Sequence, residues 1–206
     1  MADAHRGACE LCGHQAAKGP MARHVATCPA EQDSGSRPSP LLQLRIEAEG
    51  MPEYWLYVEG RETALLQQLD LLLRRVWLEC CGHMSAFRRG RLELGQRTPL
   101  SALPRKGIAF QYEYDFGSTT ALEGRVMGLR EGSIGRGVIR LLARNNPPRL
   151  TCSECEEPAT LVCPYCIQSE AWLFCEEHAP QHPCAEEEVF MPTVNSPRMG
   201  VCGYTG

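Results

Sequence analysis

The sequence has few of the features that mark membrane proteins and the common enzyme classes. No run of apolar residues approaches the roughly 18 that a membrane-spanning helix needs. Its glycines lack the spacing of a phosphate-binding loop and the lysine that such a loop requires. A serine–histidine–aspartate signature and a paired-carboxylate motif are also missing. These absences exclude a membrane-spanning protein and leave the enzyme classes that use such motifs without support.

The N-terminal residues lack the apolar core of a secretory signal peptide. We therefore expect the 12 cysteines to be reduced in the cytoplasm rather than paired in the disulfides of a secreted protein. In a reducing compartment, closely spaced pairs of cysteines commonly bind metal ions. The composition thus indicates a soluble, cytoplasmic, metal-binding protein.

The densest group of metal-ligand side chains lies over residues 150–185. Two Cys-x2-Cys pairs are followed there by a Cys-x2-His and a His-x-Cys. The eight side chains are Cys152, Cys155, Cys163, Cys166, Cys175, His178, His182 and Cys184. Because a tetrahedral zinc ion takes four ligands, these residues predict two zinc ions.

The eight ligands could be shared sequentially or in an interleaved arrangement, and we favour the interleaved one. Sequential pairing would leave two very small loops, because only seven residues separate the first two pairs. Interleaving places Cys152, Cys155, Cys175 and His178 on one ion and Cys163, Cys166, His182 and Cys184 on the other. The pattern resembles the B-box and HIT-type cross-brace fingers. That resemblance implies a protein-interaction module.

A second candidate metal site lies in residues 1–28, which read Cys-x2-Cys-x11-His-x3-Cys through Cys9, Cys12, His24 and Cys28. This spacing is close to that of a single ββα finger. A helix beginning near residue 19 or 20 would place His24 and Cys28 on one face. His14 is an alternative to His24. Residues 29–40, rich in proline, serine and charge, read as a flexible linker, so we expect this finger to move relative to the rest.

Residues 41–149 predict an α+β domain. Alternating apolar residues from residue 42 indicate a half-buried strand, and residues 54–58 a second one. Leucines at helical spacing over residues 62–77 predict a core helix. Aromatic residues at every second position over residues 110–116 predict a strand that buries all four of them, Phe116 included.

Three further cysteines lie outside these candidate sites. Cys80 and Cys81 are adjacent and precede His83, but two neighbouring cysteines do not easily chelate one ion, so we interpret them as buried thiols beside a hydrogen-bonded histidine. Cys202 lies in an acidic and then glycine-rich tail, residues 186–206. It can be an inert thiol, a spare ligand or a nucleophile.

The central region also resembles a known family. Trp55, the helix that ends at Trp77, the Gly-His-Met sequence at residues 82–84 with Phe87, and the Tyr-Asp-Phe-Gly sequence at residues 114–117 are similar to the Ri-plasmid third-open-reading-frame family. The resemblance covers residues 41–145. It implies an α+β fold of unassigned function and supplies no catalytic residues.

Charge is unevenly distributed along the chain. Residues 88–106 hold six basic residues and one acidic residue, whereas residues 150–206 hold one arginine and nine acidic residues. A basic loop without interleaved aromatic residues is usually a solvated surface, although it could also meet the phosphates of a nucleic acid. The acidic and basic regions are therefore expected to be different surfaces.

Together these patterns predict an α+β central domain, with a small sheet and a packed core helix, between an N-terminal zinc finger and a C-terminal cross-braced module. The predicted cofactor is three zinc ions, all structural, since each has four protein ligands. The predicted function is a cytosolic adapter that recognises another macromolecule, in the first place a protein. One alternative is an enzyme that uses Cys202 or the Asp115 region in a cleft between the central domain and the zinc module. The other is a protein that binds nucleic acid through residues 88–106. No catalytic residue is assigned.

Overall fold

The protein is described by a computed structural model that covers residues 5–31, 33, 37–103, 106–167, 169, 171–187 and 189–206. Nine strands form one antiparallel sheet. They are β1 (Arg6–Cys9), β2 (Gln15–Ala17), β3 (Ser39–Ala48), β4 (Met51–Arg61), β5 (Ser85–Arg89), β6 (Leu92–Leu94), β7 (Ala109–Tyr114), β8 (Thr120–Gly132) and β9 (Ile139–Asn145). Their order across the sheet is β2-β1-β9-β4-β3-β8-β7-β5-β6.

The sheet is much larger than the small sheet that the sequence predicted. β3 pairs along its length with both β4 and β8, and these long strands form the centre. The N-terminal finger adds β1 and β2 at one edge, and the β5–β6 hairpin extends the other. The expectation of a small sheet was therefore wrong, because segments that looked separate from it supply edge strands.

One face of the sheet is covered by α3 (Leu66–Leu73), which continues into a π-helical turn (Arg74–Leu78). The helix begins later than predicted, because Leu65 forms a bridge with Pro99 and the Leu66 N–H donates to the Thr98 carbonyl oxygen. Leu71 of this helix is exposed, whereas Trp77 and the other four leucines are buried against the central strands: Leu66, Leu69, Leu72 and Leu73. This face holds the main hydrophobic core.

The opposite face of β4 is covered by the N-terminal finger. Trp55 and Tyr57 are buried there against Met21 and Val25 of α1 (Lys18–Val25). The Tyr57 hydroxyl donates to the Lys18 carbonyl oxygen at 2.9 Å. The prediction of a mobile finger was therefore wrong, because β4 is buried on both faces and the finger supplies one of the covers.

The predicted linker, residues 29–40, lies partly outside the described residues, at positions 32 and 34–36. Its described ends have regular structure: α2 (Cys28–Glu31) begins before it, and β3 includes its last two residues. Between them, Asp33 forms an ion pair with Arg130 at 2.9 Å. These parts of the segment are thus attached to the domain.

The C-terminal module has its own three-stranded antiparallel sheet, in the order β11-β10-β12. Its strands are β10 (Leu161–Val162), β11 (Leu173–Phe174) and β12 (Met191–Pro192). After β12 the chain returns to the central domain, where Ser196 and Arg198 donate hydrogen bonds to Trp77 and Asp115. Met199 and Tyr204 of this segment are buried. The C-terminal segment is therefore packed on the protein, whereas Glu188, in its predicted acidic part, lies outside the described residues.

Candidate metal centres

Among the described residues, four clusters of cysteine and histidine bring ligand atoms together, each with all four atoms within 4.8 Å of one another. Each cluster consists of three cysteines and one histidine. All 12 cysteines of the sequence are thus used, three in each cluster. The predicted number of three sites was too low.

The N-terminal cluster joins Cys9, Cys12, His24 and Cys28. Cys9 ends β1 and Cys12 lies in the following turn, whereas His24 lies in the last turn of α1. The sequence predicted that His24 and Cys28 share one helix. This was wrong, because α1 ends at Val25 and Cys28 is the first residue of α2. His14 stacks its ring on that of His24, with the ring centroids 4.3 Å apart, and contributes no ligand atom to the cluster.

The distances in this cluster are close to those of a tetrahedral metal site. The Cys9 and Cys28 sulfurs lie 3.9 Å apart, Cys28 and Cys12 3.6 Å, and Cys12 Sγ lies 3.3 Å from His24 Nε2. Four ligands at zinc bond lengths of about 2.0–2.3 Å are separated by roughly 3.3–3.8 Å at tetrahedral angles. A disulfide, at about 2.0 Å, is much shorter than any of these sulfur–sulfur distances.

Electrostatics also favour a cation in the N-terminal cluster. Burial raises the pKa of Cys28 to about 12, together with hydrogen bonds to Cys12 and Cys9 and the repulsion of their charges. Three thiols packed this closely cannot all ionise unless a positive charge compensates them. A bound divalent ion provides that charge.

The eight C-terminal ligands group in the interleaved arrangement, not the sequential one. One cluster holds Cys152, Cys155, Cys175 and His178, and the other holds Cys163, Cys166, His182 and Cys184. In the first, the Cys175 sulfur lies 3.9 Å from that of Cys155 and 3.2 Å from His178 Nδ1. In the second, the Cys166 sulfur lies 3.9 Å from that of Cys184 and 3.3 Å from His182 Nε2.

Short strands and an aromatic contact fix this module. β10 pairs with β11, and each cluster takes two ligands that precede β11 in the chain and two that follow it. The buried Phe174 ring lies against the His182 imidazole, with the centroids 4.6 Å apart. Ligand atoms and the small core of the module are therefore interdependent.

Backbone N–H groups prepare at least one of these thiols for a metal. Burial raises the pKa of Cys152, but N–H groups of Glu154, Cys175 and Cys155 outweigh this effect and lower it to about 6. The Glu154 N–H donates to the Cys152 sulfur at 3.5 Å. A thiol that is ionised at neutral pH is in the form that a metal ion binds.

The fourth cluster was not predicted. It joins Cys80, Cys81 and His83, which follow the π-helical turn, to Cys202 in the C-terminal segment. Cys81 and Cys202 are exposed, whereas the interpretation from the sequence made the adjacent pair buried thiols. The sequence could not reveal this cluster by ligand spacing, because Cys202 lies 119 residues from His83.

Buried polar residues surround the fourth cluster. Asp115 Oδ2 lies 3.5 Å from His83 Nε2 and accepts a 2.7 Å bond from the fully buried Arg198. Asp115 has a φ of 64°, which takes the chain out of β7 and leaves Phe116 exposed instead of buried as predicted. The Arg198 guanidinium also holds the pKa of the Asp115 carboxyl down, at about 2.

The basic segment at residues 88–106 is partly neutralised. Arg88 lies in β5 and forms ion pairs with Glu113 at 3.1 Å and Glu93 at 3.4 Å. Positions 104 and 105 of the segment lie outside the described residues. Two nearby carboxylates thus reduce the charge that Arg88 could offer to phosphate.

Comparisons with known proteins leave the family open. No protein-family model and no curated protein matches the chain. A solved structure of a protein of unknown function from Methanosarcina mazei Go1 matches 51% of this chain and 68% of its own, at 14% identity and a TM-score of 0.44. Within the described part of the chain, no helix has the length and apolar character needed to cross a membrane.

Proposed function

We propose that the protein is a cytosolic zinc-binding adapter, which uses structural zinc to display a protein-binding surface on its C-terminal module. The main support is that both C-terminal clusters have four protein ligands. A complete set of four protein ligands leaves no open position on the metal, whereas catalytic zinc sites keep one for water or substrate. The metal then holds the fold, and function lies on the surface around it.

Zinc is the ion that these ligands favour. Thiolate and imidazole donors in tetrahedral arrangement select zinc over the harder magnesium and calcium ions, which prefer oxygen ligands. Sites of this kind also supply folding free energy to segments that are too small to bury a core. The C-terminal module, with strands of two residues each, is such a segment.

The surface of this module fits a protein partner with basic and apolar residues. A groove beside the metal clusters combines apolar side chains with acidic ones: Leu161, Glu176, Ala179, Pro180, Ala185, Glu186 and Phe190 line it. Tyr165, also on this module, is 68% exposed. Exposed aromatic residues are enriched at protein interfaces, and the net charge of −8 over residues 150–206 favours a positively charged partner.

Affinity capture with matched variants tests this function. We expect the wild-type protein to retain a partner that Glu186→Lys loses, because the substitution reverses a charge at the groove. The control is Glu123→Lys, which changes the same charge on the central sheet. Zinc content is measured for each variant, so that loss of the fold is recognised.

Two outcomes would contradict the proposal. One is that no captured protein depends on Glu186. The other is that nuclease treatment removes the captured material, which would indicate nucleic acid instead of a protein partner.

A further inference from the structure

The fourth cluster has the dimensions of a metal site rather than those of a group of free thiols. The Cys81 sulfur lies 3.7 Å from each of the other two, those of Cys80 and Cys202. The His83 Nε2 atom lies 3.0 Å from the Cys81 sulfur and 3.2 Å from that of Cys202. These separations are close to the roughly 3.3–3.8 Å between ligands of a tetrahedral zinc ion.

The turn that carries three of the ligands is held by its own contacts. Gly82 has a φ of 80°, which favours glycine and turns the chain between Cys81 and His83. The Gly82 N–H donates to Glu79 Oε1 at 2.6 Å. Glu79 in turn accepts a 2.9 Å bond from Arg74. These contacts therefore hold the three ligands of the turn in position.

The fourth ligand arrives through the docked C-terminal segment. The Ser196 hydroxyl donates to the Trp77 carbonyl oxygen at 2.6 Å, directly before the turn. The fully buried Arg198 reaches Asp115 and also donates to the Thr120 hydroxyl at 3.1 Å. A buried guanidinium is stable only when it is paired, so these contacts specify one position for the segment.

Backbone strain is concentrated at the same place. Among the described residues, Asp115 and Cys202 are the two non-glycine residues with positive φ, at 64° and 51°. This conformation is strained for a residue that has a side chain, and such residues cluster at functional sites. At Cys202 this strained conformation places the thiol next to the other three ligands. A bond to a metal ion would offset the strain.

From these observations we propose that Cys80, Cys81, His83 and Cys202 bind a fourth zinc ion, and that this ion fastens residues 194–206 to the central domain. The site differs from the other three because its ligands come from two distant parts of the chain and two of its thiols are exposed. Loss of the ion therefore releases the segment while the other sites keep their metal. This proposal does not depend on the protein partner proposed above.

Elemental analysis of the full-length protein tests the site. We expect four zinc ions for each wild-type chain and three for Cys202→Ser, because the remaining ligands no longer complete a set of four. Met84→Ala is the control, since Met84 is 71% exposed beside the turn and supplies no ligand. Cys81→Ser provides a second test should Cys202→Ser fail to fold.

Trypsin cleavage after Arg198 tests the fastening. Arg198 is fully buried, so trypsin reaches it only when the segment opens. Cleavage follows the population of the open form, and we expect it to be faster in Cys202→Ser by on the order of tenfold or more. The Met84→Ala protein should be cleaved as slowly as the wild type.

Three results of the zinc and trypsin assays would overturn the proposal. They are a wild-type count of three zinc ions, a Cys202→Ser count that stays at four, and a protected Arg198 in a Cys202→Ser protein that has lost one ion. Mass spectrometry of the unreduced protein adds a check, because a disulfide between Cys81 and Cys202 in the purified protein would also refute a metal site.

Discussion

The buried Glu59 allows a quantitative test of how the sheet is held together on the side of the N-terminal finger. Its carboxylate is fully buried and accepts hydrogen bonds from Arg130 at 2.7 and 2.9 Å and from Arg140 at 2.8 and 3.2 Å. A further bond comes from Gln43 at 3.1 Å. Glu59→Gln keeps the size of the side chain but removes its charge, so that both arginines lose a charged partner.

The expected loss of stability is large. Breaking a buried ion pair by removing one partner costs about 3–5 kcal/mol, and we expect the lower end, since both arginines are partly exposed and Asp33 still pairs with Arg130. Glu123→Gln is the matched control, because its ion pair with Arg125 is about one-third exposed and is worth about 1 kcal/mol or less.

Urea unfolding in a buffer of constant zinc concentration measures the difference. With a slope of about 2–3 kcal/mol per molar, a loss of about 3 kcal/mol lowers the midpoint by roughly 1–1.5 M. A shift for Glu59→Gln no larger than that for Glu123→Gln would refute the reasoning. It would mean that the arginines recover their hydrogen bonds from water.

The sign of the pH dependence follows from the same contacts. Burial raises the pKa of Glu59, but the hydrogen bonds from Arg130 and Arg140 outweigh it, so the net shift is downward. A carboxyl whose folded pKa is lowered contributes stability fully above its unfolded pKa, about 4.3, and loses it as the pH falls through the folded value. The difference between the wild type and Glu59→Gln should therefore be the same at pH 7 and pH 6.

Three further predictions concern the metal clusters and the finger. In cadmium-substituted protein, Cys152 and Cys175 should couple to one ion in NMR spectra; coupling of Cys152 and Cys163 to the same ion would contradict the interleaved clusters. Elemental analysis of Cys163→Ser should show the loss of more than one zinc ion, because the fully buried Cys163 belongs to a small core that both C-terminal clusters share. Loss of only one ion would show that the two C-terminal clusters are independent. Gly7→Ala should speed hydrogen exchange in β1, because a Cβ at this position would overlap the Arg144 carbonyl oxygen and the Trp55 ring. The control is Gly19→Ala, which has open space around it and should leave the exchange unchanged. Equal exchange in the two variants would argue against a docked finger.

The sequence determined the local features of the metal clusters. In the three clusters that contain Cys-x2-Cys pairs, such as Cys9 with Cys12, all ligands lie within one short segment. Their spacing depends on turn geometry, which the nearby residues set by themselves. The same holds for the alternation that places Phe110 and Tyr112 on the buried side of a strand. Local chain geometry can therefore be predicted from the sequence without knowledge of the fold.

The tertiary structure alone decided the fourth cluster and the position of the finger. Cys202 reaches His83 because Arg198 is paired with Asp115, a contact between residues 83 positions apart that no spacing rule contains. Similarly, residues 29–40 have the composition of a free linker, yet the finger that precedes them is held by burial of Trp55. The sequence predicts that Trp55 lies in a strand, but it does not show that the N-terminal finger packs against this side chain. Contacts between distant segments depend on how whole surfaces fit together, and a linear pattern does not record that fit.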